Sequence, residues 1–139
     1  MKKIIIFLTL VSLLSLAACQ SKTVTGETVS VGNGSYQNIL ASELATMLKD
    51  KDFIFVNVHI PFAGNIVGTD LSIPYDQIEQ NLSQLPSDKT TKIVLYCRSG
   101  RMSKIASEKL VSLGYTDIWN LDGGMDGWEQ AGYEIEKQP

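Results

Sequence analysis

One cysteine in this chain is prepared for chemistry by its neighbours. Cys97 closes the strand read over residues 92–96 and is followed by Arg98, Ser99, Gly100, Arg101, Met102 and Ser103 before a helical period begins. A cysteine just past the C-terminal end of a parallel strand and just before a helix sits where open α/β sheets place their ligands. Amides at the helix start would face the sulfur. Together with Arg98 and Arg101 they would favour thiolate over thiol and would also receive an anion. A thiolate so placed is a nucleophile. Taken alone, Cys97 has a plainer reading, a buried cysteine that ends a core strand while its arginines stay in water.

Such a loop needs a sheet and helices to hold it. Phe53, Ile54, Phe55, Val56 and Val58 form one near-continuous apolar run, and Ile93, Val94, Leu95 and Tyr96 form another. Both read as strands of a parallel sheet buried on two faces. Helices are predicted over 42–49, with Ser42 as N-cap and Leu44 and Leu48 on one face, and over 75–82, with Ile78 and Leu82. A third is predicted over 101–113, carrying Ile105, Ala106, Leu110 and Leu113, and Gly114 ends it. Residues 118–121 read as a further short strand, and the Gly123, Gly124 turn leads into a short helix over 125–131. Strands and helices alternate without an internal repeat, which predicts one α/β layered domain.

Composition narrows the class. Of 139 residues, 44% are hydrophobic and 19% charged, as in an ordinary globular chain, and 15 acidic against 12 basic side chains give no electrostatic reason to expect nucleic acid. Two cysteines and one histidine are too few for a disulfide scaffold or a four-ligand zinc site, and no metal is expected. The N-terminus separates the two cysteines. Lys2 and Lys3 precede an apolar run from Ile4 to Leu16, and Ala17, Ala18 and Cys19 follow. That is the layout of a secretion signal, too short to span a bilayer comfortably and without the polar face of a core helix.

Leu16, Ala17, Ala18 and Cys19 resemble the lipobox of bacterial lipoproteins, whose cysteine is lipidated and becomes the first mature residue; ordinary cleavage is the competing reading. The division expected is a signal peptide over 1–18, lipidated Cys19 with a flexible Ser/Thr/Gly-rich linker over 19–35, and a folded domain over 36–139. Removal of residues 1–18 takes Lys2 and Lys3 away and leaves 121 residues, with ten basic against 15 acidic side chains and a net charge of −5. Cys97 is then the only free thiol. The site expected is extracytoplasmic, periplasmic or cell-surface, on a membrane tether.

The string Cys97 to Ser103 resembles the active-site loop of the rhodanese family of sulfurtransferases, which commonly shows Cys-Arg-Ser/Thr-Gly, two further residues and Ser. Ala106, Leu110, Gly114, Tyr115, Ile118, Leu121, Gly123, Gly124 and Trp128 continue the family's spacing downstream. Upstream, Leu44 to Leu48, Phe53 to Val58, and Ile73 with Pro74 resemble its first helix, central strand and Ile-Pro. The resemblance covers about residues 36–136 and implies a rhodanese-like single domain, a central mostly parallel sheet flanked by helices. It also implies a mechanism. Cys97 attacks the outer sulfur of a small anionic sulfane-sulfur donor, becomes a persulfide, and passes that sulfur to a thiol acceptor, with Arg98, Ser99, Gly100, Arg101, Met102 and Ser103 binding substrate. No cofactor is implied, and a monomer is expected.

The sequence departs from the family in two places. Asn57, Val58 and His59 stand where the family usually has Asp-Val-Arg, and Gly64, Asn65 and Ile66, after a shortened loop, stand for its Gly-His-Ile. The charged pair that braces the family's loop is therefore absent. Met102 also occupies a position where arginine is common. Two other readings compete. A cysteine phosphatase would cradle phosphate in a similar loop, but needs arginine where this chain has Ser103. A non-catalytic rhodanese-like module would bind a partner or carry sulfur, and the altered 57–59 segment favours it. His59 reads either as a group at the mouth of the site or as a packing residue in place of arginine. Trp119 and Trp128 read as core, and Asp122 and Asp126, beside glycines, as turn residues.

Overall fold

The computed structural model describes residues 23–137. Cys19 and the signal read over 1–18 lie outside the described residues. In chain order the elements are β1 (Glu27–Val31), β2 (Gly34–Ile39), α1 (Ala41–Met47), β3 (Ile54–Asn57), β4 (Asn65–Ile66), β5 (Leu71–Ser72), β6 (Ile93–Tyr96), α2 (Arg101–Ser112), β7 (Ile118–Leu121), α3 (Gly124–Gln130) and β8 (Ile135–Glu136). Six strands form one sheet in the order β1-β2-β7-β6-β3-β5, parallel throughout except that β1 pairs antiparallel with β2. β4 and β8 form a separate antiparallel pair.

The apolar runs at 53–58 and 93–96 are central strands because both faces of each are covered. On one face Val56, Val58, Ile93, Leu95 and Cys97 pack under Ala106, Leu110 and Val111 of α2. On the other, Phe55, Val94 and Tyr96 pack against Ala41 and Leu44 of α1 and Met125 and Trp128 of α3. The result is a three-layer α/β domain with α2 and the 75–84 segment on one side of the sheet and α1 and α3 on the other. Full burial of a side chain the size of Leu110 or Leu44 contributes about 1.5–3 kcal/mol, so the two layers together hold the central strands rigid.

Four local expectations are corrected. The linker expected over 19–35 does not extend through its second half: β1 lies within it and pairs with β2 from Glu27 with Asn38 to Val31 with Gly34. Val29 and Val31 are half-buried and alternate with exposed Thr28 and Ser30, and Gly32, at φ +55°, supplies the positive φ of a two-residue hairpin loop. Ser42 is not the N-cap of α1. The helix begins at Ala41, and Glu43 reaches back to accept the Leu40 N–H at 2.8 Å, so Leu40 holds the cap position.

The helix expected over 75–82 is two 3₁₀ pieces, Tyr75–Gln77 and Glu79–Gln84, with Asn81 at φ −114° and ψ 21°. Asn81 Nδ2 donates to the Gln77 carbonyl at 2.8 Å, the acceptor that its own N–H would take in an α-helix, and that N–H bonds Ile78 O instead. Ile105, expected on the buried stripe of α2, is 39% exposed.

Tyr96 joins the sheet to the β4 segment. Its hydroxyl accepts the buried Ile66 N–H at 3.0 Å and shares a 2.6 Å hydrogen bond with Thr69 Oγ1. Burial raises the Tyr96 pKa above the ordinary tyrosine value, with those hydrogen bonds opposing it, so the group stays neutral. Tyr96→Phe leaves the Ile66 N–H without its partner. The expected cost is about 1–3 kcal/mol, read as a lower urea midpoint with an unchanged slope.

Candidate active site

Cys97 follows β6 directly, and strand alternation turns its side chain to the α2 face. The residue is 1% exposed. Its Sγ accepts the Gly100 N–H at 3.1 Å and lies 3.5 Å from Ser103 Oγ, which also donates to Gly100 O at 3.1 Å. Gly100, at φ +94°, is the cap of α2, and a side chain there would be strained. The first intrahelical bond of α2 runs from Lys104 N to Gly100 O. The N–H groups of Arg101, Met102 and Ser103 therefore have no acceptor within the helix, and the positive end of a 12-residue helix meets the sulfur. This is an anion cradle with a thiol at its base.

α3 holds the cradle from behind. Met125 N donates to Cys97 O and Asp126 N to Arg98 O, both at 2.9 Å. Gly124, at φ +55°, lets the backbones meet this closely, because a Cβ there would collide with Cys97 O and Arg98 O.

The sequence places Arg98 and Arg101 beside the thiol, and the structure turns both side chains outward. Arg98 is exposed, with Nε 3.4 Å from Asp126 Oδ1, and Arg101 is exposed on the first turn of α2. Met102 is half-buried against the α2-side core. Ser99 is exposed at the loop crest. Ser103 Oγ stands at the sulfur where a phosphatase would present a guanidinium, so the phosphatase chemistry lacks its anion clamp.

His59 follows β3, half-buried and near enough to Arg98 and Asp126 to feel their charges. Its Nδ1 is buried with no hydrogen-bond partner among the described residues. Burial first, and the Arg98 charge second, lower its pKa below the ordinary value, while Asp126 opposes them. Beside Arg98 a groove of about 250 Å³ is lined by Ala63, Arg98, Met125, Asp126, Glu129, Ile135 and Lys137. Trp128 is core, stacked on Tyr133 at 4.2 Å, and Trp119 is half-buried in the same layer.

Lys104 was not read from sequence, and three other residues do more than was read. Lys104, a turn into α2, pairs with Asp122 at 3.0 Å and Arg98 with Asp126, so Asp122 and Asp126 do more than shape a turn. Asn57, read as the loss of a charged group, is buried. Its Nδ2 donates to Gly64 O and Asn65 Oδ1, both at 2.9 Å, and its Oδ1 accepts the His59 N–H at 3.0 Å. A single neutral amide thus staples the loop that a charged pair would otherwise brace. The signal for it was the Asp-to-Asn change at the end of β3.

Comparison with known proteins agrees with this geometry. Residues 40–131 match the family described as Rhodanese-like domain. The chain is 32% identical over 98 residues to a sulfurtransferase of Allochromatium vinosum, an alignment covering 68% of this chain and 90% of that protein. It is 35% identical over 101 residues to an uncharacterized protein of Synechocystis sp., covering 70% of this chain and 55% of that one, so it spans about half of that relative. Among solved structures, a rhodanese-like domain protein from Staphylococcus aureus superposes with a TM-score of 0.61 at 30% identity, over 73% of this chain and 98% of that one.

The neutral staple makes a specific demand on residue 57. Asn57→Asp sets a carboxylate against two acceptors, Gly64 O and Asn65 Oδ1, and the expected cost at neutral pH is about 1–3 kcal/mol. Burial raises the folded-state pKa of the new carboxyl above its unfolded value of about 3.9. The variant therefore holds more protons folded than unfolded in that window. Its deficit relative to wild type is small below pH ~4, grows through the window and is full above the folded pKa. Urea unfolding at a series of pH values checks this, and a pH-independent deficit contradicts it.

Proposed function

The chain belongs to the rhodanese-like domain family, and from that membership we propose that it transfers sulfane sulfur through a persulfide on Cys97. The observation that carries the reading is the 3.1 Å contact from Gly100 N–H to Cys97 Sγ at the N-terminus of α2. Cys97 thiolate attacks the outer sulfur of a donor R–S–S⁻, such as thiosulfate or a polysulfide. A Cys97 S–S bond forms, the donor's S–S bond breaks, and its electron pair departs on the leaving group. The anionic persulfide remains in the cradle, where the Gly100 N–H and the free amides of α2 stabilise the added charge as an oxyanion hole does. An acceptor thiolate then takes the outer sulfur and restores the Cys97 thiolate.

The proposal extends to location: an extracytoplasmic enzyme held on a membrane by lipid on Cys19. Thr23 is four residue steps from Cys19, a reach of at most about 14 Å. Thr23 lines a cleft with Lys49, Lys92 and Trp119, at the strand ends opposite the Cys97 loop. An anchor there holds the domain by its far edge and turns Cys97 away from the lipid, towards soluble donors and acceptors. The 1% exposure of Cys97 favours one second reading, a module that binds a partner with its thiol idle.

The domain from residue 20 onward, given thiosulfate or a polysulfide, is expected to gain the mass of one sulfur. Cyanide or a thiol removes it, and Cys97→Ser never acquires it. Absence of the added sulfur with every donor favours the binding module. For the anchor, a radioactive fatty acid is expected to label the full-length chain in cells and not Cys19→Ala. Equal labelling of the two rejects lipidation at that residue.

A further inference from the structure

The cations around the Cys97 loop are matched by carboxylates. Arg98 Nε lies 3.4 Å from Asp126 Oδ1 and Lys104 Nζ 3.0 Å from Asp122 Oδ1. Asp122 is set against the loop itself, since its Oδ1 lies 4.0 Å from where a Cβ would stand on Gly100, the residue whose N–H meets the sulfur. The groove beside Arg98 is lined by both signs of charge, Asp126 and Glu129 with Arg98 and Lys137. Burial, and after it the Arg98 charge, disfavour the charged form of His59, with Asp126 opposing them. Arg101 is the one cation of the loop and the first turn of α2 with no ion pair among the described residues.

We propose that Asp126 and Asp122 are specificity residues that discharge the loop's cations, so that Cys97 takes sulfur from alkyl hydropersulfides, uncharged or singly charged, in preference to the thiosulfate dianion. This deepens the sulfur-transfer reading and rests on it. Attack on thiosulfate gathers three negative charges, one on the thiolate and two on the donor, and sulfite leaves with two of them. Attack on a hydropersulfide follows Cys97–S⁻ + RS–SH → Cys97–S–SH + RS⁻. The donor's S–S bond breaks and its electron pair leaves on RS⁻; one negative charge is present with the uncharged hydropersulfide and two with its anion, and Cys97–S–SH then releases its proton to give the anionic persulfide. A loop with one uncommitted guanidinium and the dipole of α2 suits the second reaction. Exposed ion pairs of this kind bind one another weakly, but what an arriving donor meets is the summed field, and that depends on the carboxylates being present.

The test measures the rate of Cys97 persulfide formation by intact mass with two probes, thiosulfate and 2-hydroxyethyl hydropersulfide. Wild type is expected to react faster with the hydropersulfide. Asp126→Asn keeps the backbone N–H to Arg98 O and removes one charge. It is expected to shift the ratio of the two rate constants about 5-fold towards thiosulfate, with Asp122→Asn shifting it the same way and both shifts shrinking as salt is raised. A wild type that prefers thiosulfate, or a ratio that neither substitution moves, overturns the proposal while leaving sulfur transfer standing. A salt-independent shift also overturns it, because it reports altered packing rather than charge. Failure of wild type to form a persulfide with either probe instead overturns sulfur transfer, and the specificity assignment with it.

Discussion

Backbone hydrogen bonds from Met125 N to Cys97 O and from Asp126 N to Arg98 O constrain the rest of the site. A loop that turns its amides towards a central sulfur must turn its carbonyls away from it, and buried carbonyls need donors. The first turn of α3 supplies two, at a point where its own amides have no helical acceptors. Gly100 O is satisfied separately, by Lys104 N and Ser103 Oγ. Two helix N-termini therefore converge on seven residues, α2 facing the sulfur and α3 the carbonyls behind it. Gly124 is the condition for this arrangement, because any side chain there would occupy the space of the Cys97 and Arg98 carbonyls.

The same economy governs the charges. The family's Asp and Arg at the end of β3 are replaced by Asn57 and His59, and the buried amide makes three hydrogen bonds within 3.0 Å. A buried ion pair must recover the desolvation of two charges, whereas a satisfied neutral amide has far less to recover. The loop keeps its brace without the two opposite charges of that pair. Arg98 and Lys104 retain theirs but share them with Asp126 and Asp122. The cradle's preference for anions comes mainly from backbone amides and the dipole of α2, which no side-chain pairing can neutralise.

The central fold was legible in sequence because β3 and β6 are buried on both faces and read as unbroken apolar runs, and because α2 keeps Ala106 and Leu110 on one stripe. The thiol loop was legible because its chemistry lies in seven consecutive residues. The hairpin was not. Only Val29 and Val31 mark β1, both half-buried, in a segment whose Ser, Thr and Gly content suits a linker equally well; the Gly32-Asn33 pair between them and β2 was the available signal. The 3₁₀ break at Asn81 depends on a side chain competing for a backbone acceptor, which periodicity does not register. The partners of Arg98 and Lys104 lie 28 and 18 residues away on α3 and the turn before it, so only the closed fold brings them together.

Strand alternation decides where the reactive group points. Along β6 and into the residue after it, Ile93, Leu95 and Cys97 face α2, while Val94 and Tyr96 face α1 and α3. A one-residue change of register would carry the thiol to the opposite layer, away from the N-terminus of α2, and would put a phenol under it instead. Register is held by pairing on both sides: Ile93 to Ile118 and Leu95 to Asn120 on β7, and Ile54 to Ile93 through Asn57 to Tyr96 on β3. The Tyr96 hydroxyl adds a third restraint through Ile66 and Thr69. Neighbouring residues of one strand thus divide the work, Tyr96 fixing the β4 segment to the sheet and Cys97 presenting its sulfur to the helix. Substitutions that loosen the Tyr96 contacts act on the thiol through the strand the two residues share.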